Sequence, residues 1–285
     1  MDARIIDMHV HSNASDGTFS PDALMEEAKR AGLSAMALTD HDTMDGTMLA
    51  AETAKKLDIE FIPGVELSTD YNGHEIHVLG YYVSKDHPEL KSMMEQFRDF
   101  RHSRNERMVE SLQKKGFSIT MEDLKKRSPD SVISRAHVAK YLVETGQAPD
   151  ISYLFANYIG EGCCCYIDRP KISPTEAVRL IRGAGGLCVL AHPVMYQLTD
   201  DELNQMIQEM KSEGMCGIEA IYSENTPEDE AHFRELTADF GLLVSGGSDF
   251  HGANKPDIKL GVGKGGLHIP YSILQAFKEL HDRRP

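Results

Sequence analysis

Short apolar runs alternate along this chain with segments whose apolar positions recur at helical spacing. Ile5 to Val10 reads as a first strand. Pro21 to Ala31 reads as the helix after it, with Ser20 as N-cap, Pro21 at the first helical position and Gly32 just past the end. Leu33 to Leu38 predicts a second strand, and Met48 to Leu57 a second helix. Phe61 to Leu67 and Ile76 to Val83 predict two more strands. Leu187 to Leu190, Gly217 to Ile221 and Leu242 to Ser245 complete the set, with helices such as Pro174 to Ala184 and Asp200 to Ser212 between them. Strands alternating with helices imply parallel βα units. Seven such strands favour a closed or distorted barrel over an open sheet.

The alternation is interrupted between Pro88 and Tyr166, where the pattern is helical and strongly charged. Phe97, Phe100, Met108 and Leu112 recur near helical spacing, as do Val138, Tyr141 and Leu142. The expected organisation is therefore a barrel built from residues 1–90 and 166–285, with a helical insertion subdomain at 91–165.

Composition narrows the class. With 285 residues, 41% of them hydrophobic, the chain has length and apolar content for one large catalytic domain and no reason to be disordered. A net charge of −15 argues against general adhesion to nucleic-acid polymers or anionic membranes. It leaves room for a small anionic substrate, because bound metal ions would reverse the local charge. No apolar signal stretch opens the chain and no spanning segment is present. The five cysteines, three of them adjacent at Cys163, Cys164 and Cys165, make a poor disulfide framework. A cytoplasmic enzyme with no obligate protein partner is the simplest expectation.

The chemistry sits at the predicted strand ends. The first strand ends in His9-Val10-His11, and residues two apart on a strand face the same side. Asp16 follows in Ser15-Asp16-Gly17-Thr18. The second strand ends in Thr39-Asp40-His41-Asp42 and the third in Gly64-Val65-Glu66. The fourth carries His77, the fifth ends in Ala191-His192-Pro193, and the last in Gly247-Ser248-Asp249-Phe250-His251-Gly252. Taken singly, each piece has an ordinary explanation: Asp-Gly is a common turn, and Asp40 or Asp42 fits a helix cap. Their recurrence at strand after strand points instead to a multinuclear metal site on the face where βα barrels build their sites. Six imidazoles and three carboxylates suit Mn, Fe or Zn. His74, His87, His102, His232, His268 and His281 have no such placement and are read as surface or supporting residues.

The ordered set His9-x-His11, Asp16, Thr39-Asp40-His41, Gly64-Val65-Glu66, His77, Ala191-His192-Pro193 and Ser248-Asp249-x-His251 resembles the polymerase-and-histidinol-phosphatase, or PHP, domain family. The resemblance implies an α/β fold, a distorted (β/α)7 barrel of the PHP type with a helical insertion, and a site for two to three divalent ions. It implies that His9, His11, Glu66 and Asp249 hold one ion, that Asp16, His41 and His251 hold a second, and that Glu66 bridges to a third held with His77 and His192. The segments around Gly73 to Tyr81, Ser134 to Ala139 and Arg169 to Ser173 resemble the stand-alone bacterial branch. That branch implies a phosphoesterase acting on the 3′-phosphate of nucleoside 3′,5′-bisphosphates or on 5′ ends of short RNA. Its alternatives are a cyclic sugar-phosphate phosphodiesterase and a histidinol-phosphate-type phosphatase.

The expected mechanism is in-line attack by a hydroxide bridging two metals, with Asp249, His251 and His192 at the reacting centre. Cys163 to Cys165 lack a paired histidine or a positive helix end, so core packing is the better reading for them. A substrate with two phosphates needs a second anchor. Arg135 is the leading candidate, since its planar fork suits bidentate phosphate binding, followed by His137, Arg169 and Lys171. Two other classes compete. An amidohydrolase-type C–N hydrolase commonly carries a metal-bridging lysine, and no strand-end lysine is found here. A non-catalytic metal module fits poorly with a complete ligand set.

Overall fold

The computed structural model describes residues 4–127, 133–167 and 171–284, without the side chains of Arg101 and His102. Seven strands form one sheet in chain order: β1 (Ile6–Asp7), β2 (Ala35–Leu38), β3 (Glu60–Tyr71), β4 (His74–Tyr81), β5 (Leu187–Leu190), β6 (Gly217–Tyr222) and β7 (Leu243–Gly247). The helices are α1 (Pro21–Arg30), α2 (Thr47–Leu57), α3 (Pro88–Lys114), α4 (Met121–Arg127), α5 (Arg135–Glu144), α6 (Ile151–Leu154), α7 (Pro174–Gly183), α8 (Asp200–Ser212), α9 (Pro227–Asp239) and α10 (Tyr271–Asp282). The sheet curls until its ends meet. Met8 N donates to Gly246 O, Asp249 N donates to His9 O, and Val10 and Phe250 form a parallel bridge. This is a distorted (β/α)7 barrel.

Alternation on β2 shows why both faces of the sheet are apolar. Ala35 and Ala37 point into one buried cluster with Ile6, Leu79, Val189 and Ile221. Met36 and Leu38 point into another with Leu24, Met25 and Ala28 of α1 and Ala50 and Ala54 of α2. The first cluster is closed at the N-terminal end of the parallel strands by α10, whose Phe277 packs edge-on against Tyr81 at 5.4 Å. That leaves the opposite end of the barrel open for a site.

Two expectations about the strands are corrected. β1 is a two-residue strand rather than a run from Ile5 to Val10, because beyond Asp7 the backbone bonds to the β7 side to close the ring. The sheet is also not uniformly parallel. β4 is antiparallel to both β3 and β5. Asn72 and Gly73, both with positive φ, make a two-residue hairpin turn between β3 and β4, so no crossover helix is needed. Consequently β3 does not end at Glu66 but continues to Tyr71.

The chain separates into two compact units, Met1–Ser92 with Lys171–Pro285, and Met93–Pro170. The second has its own apolar core, in which Met108, Leu112, Leu124, Val138, Leu142 and Ile159 are buried together. Cys165 packs in that core, whereas Cys164 is exposed, so core packing accounts for only part of the cysteine run.

Candidate metal centre

Strand direction decides what reaches the open end. His9 and His11 follow β1, His41 follows β2, His192 follows β5, and Asp249 and His251 follow β7. Glu66 projects from the middle of the long β3. His77 lies in the first half of β4, and arrives at the same end because β4 runs the opposite way. The nine residues named from sequence are thereby brought together.

Glu66 is the hub. Its Oε1 lies 3.0 Å from His77 Nδ1 and 3.0 Å from His192 Nε2. Its Oε2 lies 3.2 Å from His9 Nε2, 3.2 Å from His11 Nε2 and 3.1 Å from His41 Nδ1. Asp16 Oδ1 is 3.2 Å from His251 Nε2, and Asp249 Oδ1 is 3.3 Å from His11 Nε2. Donor atoms converge in four overlapping groups: His11, Asp16, His41 and His251; His9, Glu66 and His192; His9, His11 and Asp249; and His41, Glu66 and His77. The expected sharing placed His41 only with Asp16 and His251; here it also stands beside Glu66 and His77.

These residues suit a cation chemically. His9 Nε2, His11 Nε2 and Glu66 Oε2 are buried polar atoms without a hydrogen-bond partner, a costly arrangement unless something positive is to be held. The electrostatics agree. Burial alone would raise the Glu66 carboxyl, but His41, His9 and His77 hold it well below the usual carboxylate range. Burial disfavours the His11 and His77 cations, yet the surrounding carboxylates raise them to about 9 and about 10. At His41 burial wins, and the imidazole falls to about 3. Excess carboxylate field here draws positive charge of any kind.

The supporting residues were not legible as such in the sequence. Glu219, on β6 and fully buried, contacts His9 Nδ1 at 3.0 Å and accepts from His192 N at 2.9 Å. It thus leaves His9 Nε2 for a cation. Asp40 and Asp42 are not helix caps, since Gly46 is the N-cap of α2. Asp40 accepts from Ser12 N, Ser12 Oγ and Ser15 Oγ, which fixes the loop between His11 and Asp16. Asp42 accepts from Ser68 N. Asp7, raised to about 6 by burial, receives the amides of Ser248, Gly261 and His9. Two site residues, His192 (φ 21°) and Asp249 (φ 57°), have left-handed backbones that non-glycine residues rarely adopt. Glu219→Gln is expected to weaken metal affinity roughly 10- to 100-fold, as loss of such outer partners does. Competition with a chelating dye measures it, and unchanged affinity would remove Glu219 from this role.

The residues expected to handle substrate are distributed differently. Arg135 starts α5 in the helical unit, its guanidinium 5.8 Å from the Phe155 ring and 5.4 Å from the Tyr166 ring. His137 Nδ1 is engaged in a capping box with Ser134, 2.9 Å from its Oγ. Lys171 pairs with Asp70 at 2.7 Å. Arg169 lies outside the described residues. A cavity of about 230 Å3 is bordered by Glu66, His77, His192, Tyr196, Tyr222 and Lys255, among others. Its lysine is an ammonium paired with Asp249, not one of the converging donors.

A distorted βα barrel with this donor set at one end defines a metal-dependent hydrolase. The chain belongs to the PHP domain family, whose model matches residues 7–161. A 5′-3′ exoribonuclease of Haemophilus influenzae is 33% identical over 86% of this chain and 89% of its own. A 3′,5′-nucleoside bisphosphate phosphatase of Chromobacterium violaceum is 34% identical over 86% of this chain and 87% of its own. A solved structure from Bifidobacterium adolescentis, described as a metal-dependent phosphoesterase, superposes with a TM-score of 0.83 at 31% identity, covering 96% of each chain. This chain is a metal-dependent hydrolase of phosphoric esters. Among the described residues no helix is long and apolar enough to cross a membrane.

Proposed function

We propose that the chain hydrolyses small nucleotide-like phosphate esters, the 3′-phosphate of nucleoside 3′,5′-bisphosphates first and the 5′ ends of short RNA second, in the cytoplasm. The observation that carries this reading is the convergence of six imidazoles and three carboxylates at one end of the barrel, with Glu66 in contact with five of the imidazoles. In this reading His9, His11, Asp16, His41, Glu66, His77, His192, Asp249 and His251 hold two or three ions of Mn, Fe or Zn. Such ions supply positive charge against the phosphoryl oxygens and activate water near neutral pH.

The chain's own groups favour water as the nucleophile. Ser12 and Ser15, in the loop between His11 and Asp16, both donate to Asp40. Cys188 and Cys216 are pushed up by burial, Cys216 to about 11. Asp249 and His251 orient the reacting group, His251 through the bond from its Nδ1 to Asp249 O at 2.8 Å. His192 lines the cavity with a partnerless Nδ1 and is assigned the proton for the leaving oxygen. Arg135 is assigned the second phosphate, with His137, Arg169 and Lys171 as lesser contacts.

A phosphate-release screen over nucleoside bisphosphates, short RNA, cyclic sugar phosphates and histidinol phosphate tests the reading. The highest kcat/KM is expected for a nucleoside 3′,5′-bisphosphate; a clear preference for any of the last two overturns the substrate assignment. In the same screen Arg135→Ala should cost about 1.5–3 kcal/mol on bisphosphates, the range for a charge-assisted hydrogen bond, and less on simple aryl phosphates. Equal losses on both remove Arg135 from the anchor role.

A further inference from the structure

The two oxygens of Asp249 have different surroundings. Oδ1 faces the donor cluster, 3.3 Å from His11 Nε2, 3.3 Å from His251 Nδ1 and 3.7 Å from His9 Nε2. Oδ2 turns away from it and accepts from Tyr222 OH at 2.8 Å and Lys255 Nζ at 2.5 Å. Tyr222 and Lys255 both border the cavity beside Glu66, His77 and His192. Lys255 is the one lysine or arginine among the described residues of that border, which it shares with the carboxylates of Glu66, Glu75 and Asp249.

We propose that Lys255 contacts the scissile phosphoryl group directly, so that the Asp249–Lys255 pair joins the donor cluster to the substrate. The proposal rests on the phosphoester reading above and adds a residue that sequence reasoning did not single out. An ammonium carries three N–H donors, and Asp249 Oδ2 occupies one of them. The others are available to a phosphoryl oxygen resting on the cluster, for which lysine serves as a compact point charge.

The position of Lys255 is also held firmly. It follows a short turn, Gly252–Asn254, and its amide donates to Gly252 O. That turn is tied to the loop carrying Asp16: Asn254 Nδ2 donates to Asp16 O at 2.7 Å, and Ala253 N donates to Thr18 Oγ1 at 2.9 Å. Bordering the cavity and held against Asp249, its ammonium is placed to meet a phosphoryl dianion there.

The test is calorimetric titration of inorganic phosphate into the full chain at saturating Mn2+, for the wild type, Lys255→Met, Lys255→Gln and Lys255→Arg, with metal content measured on each. Lys255→Met and Lys255→Gln should weaken phosphate roughly 10- to 100-fold at unchanged metal content, and Lys255→Arg should keep most of the affinity. Unchanged phosphate affinity in the Met variant overturns the proposal. So does loss of metal in both neutral variants, since Lys255 would then serve only Asp249, and so does a wild type that binds no phosphate. Phosphate binding that depends on Lys255 in a chain that hydrolyses no phosphate ester would uphold the contact and sink the esterase reading. Ester hydrolysis that is indifferent to Lys255→Met would do the reverse.

Discussion

Glu66→Gln is expected to lower kcat/KM by about a thousand-fold or more and to reduce the metal content found by elemental analysis. The carboxylate has one oxygen 3.0 Å from both His77 Nδ1 and His192 Nε2, and the other within 3.2 Å of His9, His11 and His41. An amide keeps the shape but offers a single oxygen acceptor, and puts N–H donors where cations are to be held. Losing one shared ligand removes several kcal/mol of charge stabilisation, and about 4 kcal/mol corresponds to a thousand-fold. The sign of the pH effect follows from the same site. Metal-free His11 and His77, raised to about 9 and about 10, carry protons at neutral pH that an entering ion must displace. Metal affinity therefore falls as pH falls, by about a decade per pH unit for each proton displaced. A Gln variant with full metal content and activity within about tenfold of wild type would remove Glu66 from the centre of the site.

Gly247→Ala is expected to cost at least about 3 kcal/mol of stability, at the upper end for an overpacked core. Gly247 ends β7, where that strand closes the ring. A Cβ there would stand 2.6 Å from His9 N and 2.9 Å from Glu219 Oε1. The nearest neighbour is His9 Cβ, which like the His9 amide is fixed by the backbone across the seam and cannot swing away, and Glu219 is held by His9 and His192. Relief requires β1 and β7 to part, which moves His9 and Asp249 together. The measurement is urea unfolding of the metal-free chain, so that loss of fold is read apart from loss of ions. A midpoint unchanged from wild type would mean that the seam is looser than these distances indicate.

Much of the barrel was legible because strands and helices announce themselves locally. The run Ala35–Leu38 is apolar at every position since both its faces are covered. Ser173-Pro174 with Glu176 forms a capping box that starts α7. The Asn72-Gly73 turn was equally readable, and passing over it left the strands on either side of it among those read as parallel βα units. The residues chosen for substrate handling were less legible. A basic side chain in a loop or at a helix start has no periodicity to place it, and Lys171 pairs with Asp70, 101 positions away in the chain.

What the sequence determined by itself was the set of strands and the recurrence of His, Asp and Glu beside them, both properties of near neighbours in the chain. Tertiary structure decided which of those side chains meet. His77 faces Glu66 only because β4 runs backward along the sheet. Asp249 stands beside His9 only because β7 closes onto β1. Glu219, Asp40 and Tyr222 owe their places to partners far away in sequence: Glu219 bonds His9 and His192, Asp40 bonds Ser12, and Tyr222 bonds Asp249. A carboxylate or an ammonium reads the same on paper whether it meets water or a buried imidazole. The strand register and ring closure that separate those two fates arise only when the whole barrel packs.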